Sequence, residues 1–107
     1  IMKLQKGKQT RLSYLCDLLH LDKERVDHIR YQLLHRTASA IIEAKRFNTK
    51  NALMLVHSFS KESEQENEGF QDYCQFLSLY KLKGKMNFLT LPTTINGMRL
   101  YFGWVSD

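Results

Sequence analysis

The chain has 107 residues, 43% of them apolar and 25% charged, with one proline, and a formal net charge of +5. That is the composition of one small folded domain over residues 1–107; it excludes a disordered or fibrous chain, and no apolar run approaches the roughly 20 residues of a membrane span. The charge is uneven: residues 1–50 hold 11 Lys/Arg against 5 Asp/Glu, and residues 51–107 hold 5 against 6.

The first segment, KGKQTRLSYLCDLLHL, opens as a loose basic stretch. Leu12, Leu15, Cys16 and Leu19 then recur at helical spacing behind Thr10 as N-cap, predicting a short helix over about 11–20. Ile1 ahead of Met2 suggests a tag remnant or a fragment boundary.

From Asp22 to Phe47 the apolar period continues through Val26, Ile29, Leu33, Ala40, Ala44 and Phe47, thickened by Leu34, Ala38, Ile41 and Ile42. No Gly or Pro interrupts it, so one long, largely buried helix is expected, capped by Asp22 and ended by Asn48. The small residues at 37–40 would let another element approach closely. One polar stripe runs along it through His28, Gln32, His35, Arg36, Ser39, Glu43 and Arg46. Such a stripe reads either as a solvated face or as a platform from which Gln32 and Arg36 project toward phosphates or a partner, extended by Lys45, Arg46 and Lys50.

Five successive apolar residues in ALMLVHSFS predict a strand covered on both faces. An acidic loop follows, with Ser63 and Glu66 spaced as a capping box, and then Phe70, Tyr73, Cys74, Leu77 and Tyr80 mark a third amphipathic helix. NFLTLPTT and MRLYFGWV flank Asn96-Gly97, the pair that tight hairpin turns favour. The expected architecture is therefore α/β, with α+β as the alternative. It has three helices and a small three-stranded mixed sheet in the order helix, helix, strand, helix, strand, strand, with a terminal hairpin and an open sheet edge.

Four clusters carry chemistry worth weighing. Glu43-Ala44-Lys45 spells the end of many metal-dependent nuclease strands, but on a helix positions two apart diverge by about 200° and cannot share a metal. His57 and Ser58 are adjacent on a strand, so they point to opposite faces and form no nucleophile–base pair. Tyr101, Phe102 and Trp104, with Arg99, read as core and edge packing before base stacking. Cys16 and Cys74 lie far apart with no C-x-x-C spacing, which fits reduced thiols in a cytoplasmic protein and not a zinc site.

The stretch IRYQLLHRTASAIIEAKRFNTKNALMLVHSFS, with LYFGWV near the end, resembles an uncharacterised bacterial family related to the restriction-endonuclease-like, PD-(D/E)xK superfamily. The resemblance spans residues 7–105 and implies the carboxyl-terminal half of a nuclease-like core. It places Gln32 where a Gln-x-x-x-Tyr element begins, with Arg36 in place of its tyrosine. The metal-binding Asp and strand-borne Glu-x-Lys that precede this helix in the superfamily have no counterpart, so the resemblance implies no catalytic residue, metal or cofactor here. The expected function is nucleic-acid or nucleoprotein binding by the basic half through Lys8, Arg11, Gln32, Arg36, Lys45 and Arg46. Two alternatives differ in class: a small phage- or mobile-element-type inhibitor docking on a host protein or on a second copy by its open sheet edge, and a metal-dependent nuclease completed by self-association with Glu43 as ligand.

Overall fold

The three α-helices among the described residues end with the same backbone device. The computed structural model describes residues 2–26 and 29–106, with side chains from residue 11 onward. Helix α1 spans Met2–Leu19, α2 Tyr31–Arg46 and α3 Glu68–Ser78. His20, Asn48 and Lys81 follow them at φ 57, 54 and 59°. In each case the next residue's N–H reaches back five positions: Leu21 to Cys16 O, Thr49 to Ala44 O and Leu82 to Leu77 O, at 2.8, 2.9 and 3.1 Å. This is the Schellman closure, and it satisfies carbonyls that a helix end otherwise leaves open. Asn48 stops its helix as the sequence suggests.

Three boundaries differ from expectation. The basic opening segment is not loose, since α1 runs through it from Met2. The long second helix is broken: Lys23–Val26 forms a 3₁₀ turn capped by the Asp22 carboxylate, which accepts from Glu24 N at 3.0 Å, and α2 starts only at Tyr31. The break buries both Val26 and Ile29, and an ion pair from Arg30, the residue before α2, to Asp72 on α3 holds it. Of the polar stripe, His28 lies outside the described residues. Ser63 does bond Glu66, at 2.8 Å between side chains, but the helix begins later, where buried Asn67 accepts from Phe70 N at 3.0 Å.

The sheet is mixed, in the order β1-β3-β2. Strand β1 (Asn51–Ser58) pairs parallel with β3 (Met98–Ser106), and β2 (Thr93–Ile95) pairs antiparallel with β3. The hairpin turn is as expected, with Asn96 and Gly97 at φ 51° and 79°, the double positive φ of a type I′ turn. Upstream of β2 the partner segment continues to a bridge between Leu89 and Gly103, but the register slips by one residue across Pro92. Proline cannot donate to the ladder, so a bulge there is its natural place.

The core lies on one face of this sheet. Ala52 and Met54 of β1 stand beside Leu100 and Phe102 of β3, and Trp104 and Met98 extend the row. α3 packs on it by rings: Phe70 and Tyr73 against Trp104 at 5.3 and 5.4 Å, Phe76 and Tyr80 against Phe102 at 5.6 Å each. Trp104 and Phe102 are thus core, not stacking platforms. The opposite face overturns the expectation for β1: Leu53 and Leu55 remain 47% and 48% exposed. The apolar run is real, but helices cover only one side of it. On the open side Leu89 and Leu55 lie so close over Gly103 that a Cβ there would meet them at 2.8 and 2.9 Å.

One pair of core polar atoms has no hydrogen-bond partner among the described residues, Tyr73 Oη and Trp104 Nε1. Burial also pushes the Tyr73 phenol far above its ordinary pKa, so it stays neutral. A buried unsatisfied hydroxyl costs about 1–3 kcal/mol. Tyr73→Phe should therefore raise the melting temperature by several degrees, about 4–8 °C per kcal/mol recovered in a domain of this size. A fall of similar size would mean that the hydroxyl is satisfied.

Candidate binding faces of the second helix

The buried stripe of α2 is Leu33, Leu34, Thr37, Ala38, Ile41 and Ala44. Thr37 is tolerated there because its hydroxyl donates to Leu33 O at 2.7 Å. With that stripe turned inward, Gln32, Ser39, Glu43 and Arg46 form an exposed ridge. The ridge separates two grooves, and the candidate residues divide between them.

The first groove lies between α1 and α2 and holds about 510 Å³. Arg11, Tyr14 and Leu15 line it from α1; Tyr31, His35 and Ile42 line it from α2. Tyr14 and Tyr31 are 60% and 44% exposed, and Tyr31 stacks on His35 with ring centroids 6.2 Å apart. Arg11 makes no ion pair among the described residues. Lys8 belongs to α1, but its side chain lies outside the described residues.

The second groove lies between α2 and β1 and holds about 590 Å³. Arg36, Ala40, Glu43 and Phe47 wall it on one side and Asn51 to Leu55 on the other. Arg36 has no carboxylate partner among the described residues. Arg46 sits over the Phe47 ring at 5.8 Å and 3.9 Å from Glu43, at the tip of the same helix as Lys45. Gln32 and Lys45 are exposed and line neither groove.

The structure thus joins Arg11 to one face and Arg36 to another, where the sequence alone offers a single basic surface. It adds Tyr14 and Tyr31, two aromatics set off from their helices' buried stripes; that displacement is the signal that could have found them. Glu43 and Lys45 are on a helix, and among the described residues no group of three or more His, Cys, Asp or Glu side chains is placed to hold a metal. His57 lies against Phe59, ring centroids 4.4 Å apart, and Ser58 accepts from Ser60 N at 3.3 Å. Both cysteines are free; burial pushes the Cys16 and Cys74 thiols up, with Asp17 and Glu64 respectively adding to it. No helix among the described residues is long and apolar enough to cross a membrane.

Comparison with known proteins yields one family. Its model, described as a domain of unknown function (DUF6946), matches residues 2–107, and the chain belongs to that family. No curated protein and no solved structure matches the chain.

Proposed function

We propose that this member of the DUF6946 family binds nucleic acid, free or within a nucleoprotein, and takes a single-stranded segment in the groove between α1 and α2. The observation that carries the reading is the combination, in one open groove, of a cation with no ion-pair partner among the described residues and two exposed aromatic rings, Arg11 with Tyr14 and Tyr31. Single strands are held in this way: rings accept the faces of unpaired bases, and cations neutralise the phosphates between them. α1 also carries Lys3, Lys6 and Lys8 along its first half, and α2 ends in Lys45 and Arg46, so the groove lies within the basic half of the chain.

The test is the affinity of a fluorescein-labelled oligothymidine over a salt series. Log affinity should fall against log salt with a slope of about −0.7 per phosphate neutralised, and Arg11→Glu or Lys8→Glu should remove about one such contact each. Binding that is absent, indifferent to salt, or unchanged by both substitutions would dispose of the reading.

A further inference from the structure

The two edges of the sheet are built differently. β2 is three residues long and follows Pro92, the usual means of blocking further strand addition. β1 is eight residues long, and NALMLVHS contains no Pro, Gly, Lys, Arg, Asp or Glu. Among the described residues only β3 pairs with it, so about half of its backbone N–H and C=O groups point away from the ladder. A long, uncharged, largely apolar edge of this kind is an aggregation hazard unless something pairs with it. Alongside that edge runs the second groove, whose far wall is α2.

We propose that this groove binds an extended, acid-flanked peptide segment of a protein partner, which adds to the sheet as a fourth strand beside β1. The walls set its side chains. Ala40 and Ala44 are small and leave room for bulky apolar residues on the helix-facing side, while half-exposed Leu53 and Leu55 extend an apolar surface on the other. Strand addition of this type draws affinity from main-chain bonds and selectivity from alternate side chains.

The charges set its ends. From Phe47 back to Arg36 is about 16 Å along the helix at 1.5 Å per residue, which brings Arg36, without a carboxylate partner among the described residues, level with the Leu55 end of β1 at about 3.3 Å per strand residue. Toward the Asn51 end the groove wall carries Glu43, with Arg46 3.9 Å from it, and Lys45 and Lys50 lie just outside the wall, so three cations outnumber one carboxylate there. Both ends of the groove are therefore cationic, and an acidic residue at each end of the peptide is satisfied in either strand direction.

The same charges argue against a second copy as occupant. Two-fold pairing of β1 with β1 is antiparallel and would set Arg36 of one copy against Lys45, Arg46 and Lys50 of the other, four cations with only Glu43 to offset them at each end. Tyr14 and Tyr31 do not line this groove, so the inference stands or falls separately from the nucleic-acid reading.

A synthetic probe tests it: the labelled, end-blocked peptide Glu-Thr-Val-Thr-Val-Ile-Thr-Glu, a version with lysines at both ends, and a version with proline in place of both valines. The acid-ended peptide should bind, slow hydrogen exchange at residues 52–56, and lose both effects with the prolines. The lysine-ended peptide should bind about a hundredfold more weakly, the size of two lost charged hydrogen bonds, and Arg36→Glu should shift the preference toward it. Arg36 is exposed, so that variant's melting temperature should not move. No protection of β1 by any peptide, equal binding of the proline version, or an acid preference untouched by Arg36→Glu would overturn the proposal. Protection of β1 in a peptide-free dimer would overturn it too, in favour of a second copy.

Discussion

Phe102→Ala should destabilise the chain by about 3–5 kcal/mol, the usual range for deleting a fully buried phenylalanine. The side chain has no exposed surface and sits where three elements meet. It lies edge-on to Phe76 at 5.6 Å and 90°, and against Tyr80 at 5.6 Å. Tyr80 in turn donates its hydroxyl to Leu19 O at 2.8 Å, tying the far end of α3 to the last turn of α1. The Phe102 backbone is also occupied on the hairpin side, donating to Thr90 Oγ1 at 3.1 Å and accepting from Thr90 N at 2.9 Å. The cavity would therefore open under a sheet that cannot easily collapse into it. Small domains hold only about 5–15 kcal/mol in total, so a melting temperature lower by some 15 °C, or failure to fold, is the expected result. Phe102→Leu keeps most of the volume and should cost no more than about 1.5 kcal/mol. A drop of a few degrees in Phe102→Ala would show that the core is centred elsewhere.

What could be read in advance follows from how local each determinant is. Met98, Leu100, Phe102 and Trp104 alternate in sequence and are all buried, because strand periodicity is a property of the chain itself. The Asn96-Gly97 turn and the Asn48 stop are legible for the same reason. The break before α2 was not, since nothing in HIRY forbids a helix: it is held by burial of Val26 and Ile29 and by Arg30 reaching Asp72, 42 residues away. Five apolar residues in β1 show that the strand is apolar, but which faces are covered depends on where the helices cross. The start of α3 is ambiguous in sequence because Ser63 and Glu66 have capping-box spacing, but they bond only side chain to side chain, in a turn just ahead of the true cap at Asn67. For the candidate site, composition gives the cations and period gives the exposed ridge of α2. Only the packing of α1 on one flank and β1 on the other divides Arg11 from Arg36, and only it brings Tyr14 and Tyr31 to one groove.

That last juxtaposition sets the largest functional effect expected. The double variant Tyr14→Ala, Tyr31→Ala should weaken oligothymidine binding about 30-fold or more, since each base–aromatic stack is worth about 1–3 kcal/mol. The slope of log affinity against log salt should stay where it is, because neither ring neutralises a phosphate. Stability should fall by no more than about 1 kcal/mol per site, as the two residues are 60% and 44% exposed. The paired control is Tyr14→Phe, Tyr31→Phe, which keeps both π faces and should retain most of the affinity. Arg11→Glu has the opposite signature, a shallower slope with the stacking intact. If the alanine pair leaves affinity unchanged while Arg11→Glu reduces it, attraction to the strand is electrostatic alone and the groove is not where bases sit. If the phenylalanine pair is as weak as the alanine pair, the hydroxyls and not the ring faces make the contact, and stacking is the wrong account of this surface.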